Sequence, residues 1–215
     1  MIYLKQFETQ AAYDAAKDGL LTPNVSLITE NGEIKYLKEA PAPTHEWVDL
    51  GLPSGTLWAK TNVGATNESD CGNVYMYGKG ASQYYETSGS TSYKGTENPL
   101  ATSADTASQE WGEDCHTPTQ AQFEELTAKT TYQWTTINGV SGGKFTAQNG
   151  NYVFLPAYGY WTDGQHLGDG SYGYYWTSSP DDATWAYYFQ CYNNGKYVSQ
   201  NTRKYGIGIR PVKDA

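Results

Sequence analysis

The chain is short of positive charge, of histidine and of long aliphatic runs. Lys and Arg total 14 against 23 Asp and Glu, for a net charge of −9. Nucleic acid demands a basic face for its phosphates, so this balance argues against that partner. It argues equally against an anionic membrane surface. No apolar run approaches the roughly 20 residues that span a bilayer. The segment Met1-Ile2-Tyr3-Leu4-Lys5-Gln6-Phe7-Glu8 has no apolar stretch of signal-peptide type. The three cysteines, Cys71, Cys115 and Cys191, are odd in number, and their spacings match no zinc pattern. The three histidines, His45, His116 and His166, lie far apart in sequence. No nucleophile elbow, phosphate-cradling Gly-Lys-Ser/Thr loop or HExxH is present. Catalytic residues are therefore not expected, and the chain reads as a binding module.

What is present is aromatic and glycine-rich. Aromatics are 15% of residues, with 20 Tyr and seven Trp, and there are 23 Gly. Tyr, Trp, Thr and Val favour strands, and Gly favours turns and close backbone approach. A mostly β domain with long loops follows.

The first forty residues read differently from the rest. Thr9 to Lys17 predicts a short helix, capped by Thr9 and ended by Gly19. Asn24 to Ile28 and Glu33 to Leu37 predict a hairpin around the Asn31-Gly32 turn. The alternating prolines of Ala40-Pro41-Ala42-Pro43-Thr44 make a stiff linker. The expected division is a helix-hairpin attachment element and linker over 1–44, and a binding domain over 45–215.

In the second part, residues 79–103 are polar and predict a long loop. One helix is expected from about Asp105 to Trp111. A second is expected after Thr117, with Thr117 as cap, Pro118 at the first helical position and Gln120 completing the box, running to about Lys129. Tyr152 to Pro156 reads as a strand after the Asn149-Gly150 turn.

More than half of the aromatics fall at or after Tyr132. Ala186 to Tyr192 reads with period two. Tyr187, Phe189 and Cys191 then form the core set, and Tyr188, Gln190 and Tyr192 face outward. Asn193-Asn194-Gly195-Lys196 signals a hairpin, with Tyr197 to Thr202 returning antiparallel, and Ile207 to Val212 makes a final strand. The outward set is Tyr-rich with Gln, Asn and Ser neighbours. That mixture offers large contact area at low entropic cost together with adaptable hydrogen bonds.

Val48-Asp49-Leu50-Gly51-Leu52-Pro53-Ser54-Gly55-Thr56-Leu57-Trp58-Ala59 with Asn62-Val63-Gly64-Ala65 opens a set of blocks. Trp111-Gly112, Thr117-Pro118-Thr119 and Glu125-Leu126 follow, then Phe154-Leu155-Pro156-Ala157 with Gly159. Gly173-Tyr174-Tyr175-Trp176-Thr177-Ser178-Ser179, Arg203 with Gly206, and Arg210-Pro211-Val212 complete it. These blocks, over about residues 47–212, resemble the Fibrobacter succinogenes major paralogous domain abundant in Bacteroidetes. The resemblance implies an α+β, C-type-lectin-like fold shared with formylglycine-generating enzymes, with two helices, short strands and long loops. Some domains of this kind are variable proteins of diversity-generating retroelements, whose C-terminal segment is rewritten at adenines. That would place exchanged, ligand-contacting positions at Asp181, Asp182, Thr184, Tyr188, Gln190, Tyr192, Tyr197 and Asn201, with Tyr174 and Trp185 completing the contact set.

The resemblance further implies a protein or glycan ligand on a host or neighbouring cell, and a surface or virion location. The N-terminal element would serve attachment or homo-oligomerisation. Cys71 and Cys115 stand where the family pattern has aromatics; they could bridge or fill space as small apolar groups, and the second is expected.

Alternatives stay open: a structural surface or virion protein whose Tyr-rich face mediates assembly, and an oxidase-like or carbohydrate-active enzyme on the same fold. The relatives that oxidise cysteine use a cysteine pair in their C-terminal region, where only Cys191 lies here. Asp163, Asp169, Asp181 and Asp182 could pair for glycoside hydrolysis or supply calcium with oxygen ligands. The regular Asp-x-Asp-x-Asp-Gly pattern is absent, so no cofactor is assigned.

Overall fold

In the computed structural model the described residues are 3–7, 24–30, 33–36, 45–78, 93–112 and 114–214. The chain divides into two compact units, Met1–Thr44 and His45–Ala215.

The first unit holds β1 (Tyr3–Phe7), β2 (Asn24–Glu30) and β3 (Glu33–Tyr36) in one sheet. The expected hairpin is β2–β3, antiparallel from Leu27 opposite Tyr36 to Glu30 opposite Glu33. The strand β1, not anticipated, pairs parallel with β2. The helix expected over residues 9–17 lies outside the described residues.

The second unit is mixed α and β, with small antiparallel sheets and, among the described residues, two helices. A three-stranded sheet joins β4 (Trp47–Asp49), β5 (Leu57–Ala59) and β14 (Val212–Lys213), so the two ends of the unit meet. Helix α1 (Thr106–Trp111) starts at Asp105, whose buried carboxylate accepts from Ser108 N–H at 2.9 Å and from Thr117 N–H at 3.0 Å.

Helix α2 (Gln120–Lys129) is capped two residues later than expected. Thr119 Oγ1 accepts from Gln122 N–H at 3.2 Å, and Thr119 N–H donates to Gln122 Oε1 at 2.8 Å. The Thr-x-x-Gln spacing occurs twice here, and Thr117 is already committed. Its N–H belongs to Asp105, and Pro118 O accepts from Ser178 N–H at 2.7 Å. That segment is held extended, and the reciprocal cap forms at the next copy.

A second sheet follows: β6 (Thr131–Ile137), β7 (Val140–Thr146) and β8 (Tyr152–Pro156). Asn138 and Gly139, at φ 50° and 83°, make the tight β6–β7 turn. Positive φ at both central positions is what an Asn-Gly hairpin turn requires. After the short hairpin β9 (Tyr160–Thr162) and β10 (Gln165–Leu167) comes the sheet of β11 (Tyr172–Pro180), β12 (Trp185–Tyr192) and β13 (Gly195–Thr202).

That last sheet separates two apolar clusters. Tyr175, Phe189 and Cys191 join Trp58, Phe123, Phe145 and Leu155 on one face, where Phe123 stacks on Phe189 at 4.6 Å. Trp176, Ala186 and Tyr188 join Val63, Tyr75, Tyr77 and Ile207 on the other. A strand covered on both faces need not alternate core with solvent.

Candidate functional site

The register of β11, β12 and β13 sets the candidate site. Directly opposed residues of neighbouring strands share a face of the sheet. One row is Tyr174, Gln190 and Tyr197; the next is Tyr172, Tyr192 and Gly195; a third is Trp176, Tyr188 and Ser199. The period-two reading therefore assigned the right residues to the same face. It did not foresee how deeply some of them lie.

Tyr188 and Gln190, expected outward, are only 7% and 3% exposed. Tyr188 packs in the second apolar cluster, stacked on Tyr174 at 5.4 Å and edge-on to Trp176 at 6.5 Å. Tyr187, expected inward, is half-buried, and its hydroxyl lies 3.4 Å from Asp181 Oδ1. The physical reason is the second cluster, which covers the face that sequence alternation leaves to solvent. Tyr174, Tyr192 and Asn201 are half-buried, and Tyr197 stands 43% exposed.

The remaining predicted residues gather elsewhere. Asp181, Asp182 and Thr184 are exposed in the turn between β11 and β12. Trp185, 41% exposed, has the parity of Tyr187 and sits opposite Thr202 at the sheet end. Asp182 Oδ1 accepts from Thr184 N–H at 2.6 Å and Trp185 N–H at 2.7 Å, and these bonds hold its carboxyl below the usual range.

Buried Arg203 anchors the same turn. Its guanidinium donates to the carbonyls of Asp182 and Trp185, and to Tyr93 and Gly95 at 2.9 and 2.8 Å, over the Tyr77 ring. Arg210, fully buried, donates to Asn62 Oδ1 at 2.8 Å and to carbonyls of Ala59, Lys60 and Phe154. Burial among neutral acceptors pulls its pKa down to about 10.

Sequence reading missed Tyr172, 38% exposed and in ring contact with Tyr192 at 5.9 Å. It stands two residues before Tyr174, so period two would have found it. Leu167, also 38% exposed, completes the set of large exposed apolar side chains among the described residues: Leu167, Tyr172, Trp185 and Tyr197. All four lie between β10 and β13.

The tyrosines form a connected array. Tyr160 touches Tyr174 at 5.0 Å and stacks on Tyr205 at 5.1 Å, and Tyr192 meets Tyr197 at 6.2 Å. Burial pushes Tyr188 up to about 12 and Tyr174 higher still. Both remain neutral hydrogen-bonding groups at physiological pH.

Other chemistry-bearing groups are committed locally. His166 stacks on Trp161 at 4.9 Å and contacts the Tyr158 ring at 4.5 Å, His45 stacks on Trp111 at 3.5 Å, and His116 Nδ1 faces Thr117 O at 3.0 Å. All three thiols are free, and burial raises each to about 12. Among the described residues no three His, Cys, Asp or Glu side chains gather as a metal-holding group. A groove of about 320 Å³ lies away from the array, lined by Glu46, Asp49, Lys60, Glu68 and Tyr152 among others. Its Lys60 is paired with Glu46 at 2.8 Å, and Tyr152 donates to Glu68 at 3.2 Å. Among the described residues no helix is long and apolar enough to cross a membrane.

Comparison with protein-family models, with curated proteins and with solved structures finds no match.

Proposed function

We propose that residues 45–215 form a C-type-lectin-like recognition domain, not an enzyme, which binds a protein or glycan on a host or neighbouring cell. One observation carries this reading: of the large exposed apolar side chains among the described residues, Tyr172 and Tyr197 stand on the ladder face of β11 to β13, beside half-buried Tyr174 and Tyr192. Concentrated exposed aromatics mark interaction surfaces in soluble proteins.

The blocks that resemble the paralogous domain include Arg203 and Arg210-Pro211-Val212. Their guanidiniums tie the candidate turn and the terminal segment to the scaffold, as a rigid display platform needs. In the retroelement reading, the rewritten positions are Asp181, Asp182, Thr184, Tyr188, Gln190, Tyr192, Tyr197 and Asn201. The 1–44 unit then serves attachment to a surface or virion, or self-association.

Two measurements test the reading. The first screens the purified chain against host-surface glycans and proteins, beside a Tyr172→Ala, Tyr192→Ala, Tyr197→Ala variant. Binding that survives the triple change intact overturns the assigned face. The second sequences sister copies from the same source; substitutions spread evenly over 45–215 remove the retroelement component.

A further inference from the structure

An unbroken run of rings leads from the interior of the second apolar cluster to the surface. Tyr77 meets Trp176 edge-on at 5.4 Å, Trp176 meets Tyr188 at 6.5 Å, and Tyr188 stacks on Tyr174 at 5.4 Å. Tyr174 contacts Tyr172 at 6.1 Å, Tyr172 contacts Tyr192 at 5.9 Å, and Tyr192 contacts Tyr197 at 6.2 Å. A branch runs from Tyr174 through Tyr160 to Tyr205, at 5.0 and 5.1 Å. Every member of the run is Tyr or Trp, the two ring types that give up a single electron most readily. Phe123, Phe145 and Phe189, whose rings resist such oxidation, lie in the other cluster. Electron tunnelling falls off exponentially with separation, so rings in contact exchange electrons far faster than rings apart.

The two ends of the run differ in what they can do with a proton. An oxidised phenol or indole is strongly acidic, and the radical settles only where that proton can leave. Tyr77 is 1% exposed, and its hydroxyl has no hydrogen-bond partner among the described residues. The Arg203 guanidinium carbon lies 4.7 Å over its ring, and this positive charge disfavours removing an electron there. Trp176, also 1% exposed, donates its indole N–H to the Tyr75 carbonyl at 2.9 Å, a group too weakly basic to keep the proton. Burial holds the Tyr188 proton firmly, raising the hydroxyl to about 12.

At the outer end Tyr172 and Tyr197 are 38% and 43% exposed, and water can receive the proton. Tyr197 Oη also donates to Gln190 Oε1 at 2.6 Å, which keeps the ring in place against its neighbours. An electron vacancy formed inside is therefore driven outward.

We propose that this run of rings conducts single-electron oxidation outward, so that a vacancy formed on Trp176 or Tyr188 is delivered to Tyr172 and Tyr197, the oxidative modification sites of the domain. The oxidant is a one-electron acceptor of the radical or photo-excited class. It takes one electron from a ring of the run. Electrons then step inward from Tyr197 to fill the vacancy, and Tyr197 releases its phenolic proton to water. Two such radicals on separate chains join ortho carbon to ortho carbon, and each ortho hydrogen is replaced on its own phenol oxygen. The dityrosine link forms with loss of two electrons and two protons. The role is independent of what the face recognises.

The test uses the full chain, irradiated in the tryptophan absorption band with hexaamminecobalt(III) as electron acceptor. Oxidised residues are mapped by peptide mass spectrometry. Dityrosine forms at Tyr172 and Tyr197, and Trp176 stays largely unoxidised. Tyr188→Phe keeps a ring in place and removes the oxidisable link beyond Trp176, so oxidation of Trp176 rises several-fold. Tyr174→Phe cuts the run one ring further out and gives the same rise, which keeps the test decisive if Tyr188→Phe fails to fold. Near-ultraviolet circular dichroism before irradiation confirms the native packing of each variant. Tyr132→Phe, in the other cluster, leaves the Trp176 yield unchanged. A Trp176 yield that the folded Tyr188 and Tyr174 variants leave at the wild-type level, whether low or high, overturns the proposal. Cross-linking that bypasses both Tyr172 and Tyr197 overturns it as well.

Discussion

Gln190 and Tyr197, opposed across the β12–β13 ladder, are joined by a 2.6 Å hydrogen bond from the tyrosine hydroxyl to the amide oxygen. One partner is buried and the other stands at the surface. This bond couples the exposed part of the tyrosine array to its interior, and it separates residues available for contact from residues that hold the sheet.

That separation has a measurable consequence. Tyr188→Ala removes a ring from the second apolar cluster and should cost about 3 kcal/mol, as for other buried aromatic truncations. Tyr172→Ala, at an exposed rim position, should cost under about 1 kcal/mol. Urea denaturation of the two variants gives the comparison, and similar losses for both would place Tyr172 in the core.

The helix cap can be checked in the same way. Thr119→Ala should destabilise by about 1 kcal/mol through loss of the reciprocal box. Thr117→Val should be neutral or slightly stabilising. Its buried hydroxyl has no hydrogen-bond partner among the described residues, so an isosteric methyl removes a polar group without removing a bond. Thermal midpoints that rank the two in the opposite order would restore Thr117 as the cap.

Cys191 is clasped between glycines. A Cβ at Gly173 would sit 2.8 Å from its Sγ, and one at Gly143 3.1 Å away. Gly173→Ala should therefore cost about 2 kcal/mol by overpacking. Adding Cys191→Ala should recover part of that loss. A double variant no more stable than the sum of the single effects would show that the crowding arises from the Pro156 carbonyl instead, 3.1 Å from the same Cβ.

Alkaline pH should unfold the domain through its buried acids. The Cys191 thiol is raised from an ordinary 9.0 to about 12, and the Tyr188 hydroxyl from 10.0 to about 12, both chiefly by burial. The folded state then holds these protons more tightly than the unfolded chain. Their contribution is whole below pH 9 and is lost as pH rises toward 12. Urea midpoints measured from pH 8 to 11 should fall, and Cys191→Ala should flatten the part of the curve between 9 and 10. At neutral pH, Cys115 and Cys191 should react with a thiol reagent only after denaturant is added.

Much of the local structure is legible in the sequence because it depends on short-range chemistry. The Asn-Gly signal at residues 31–32 predicts the antiparallel pairing of β2 with β3, and Asn193-Asn194 joins β12 to β13. Asp105 starts α1, and Ala186 to Tyr192 alternates in the correct parity. The β6–β7 hairpin carries an equally plain signal in Asn138-Gly139. Register follows from these turns, so the residues sharing a face of the final sheet were determined by sequence alone.

Exposure was not. Tyr188 and Gln190 are buried because residues remote in the chain, including Val63, Tyr75, Tyr77 and Ile207, build a second cluster against the outer face of β12. The choice of Thr119 over Thr117 as cap likewise depended on Asp105 and Ser178 taking the earlier segment's backbone groups. Alternation along a strand reports which side chains point the same way. Whether that side meets water or protein depends on contacts between distant segments, and only the tertiary structure brings those together.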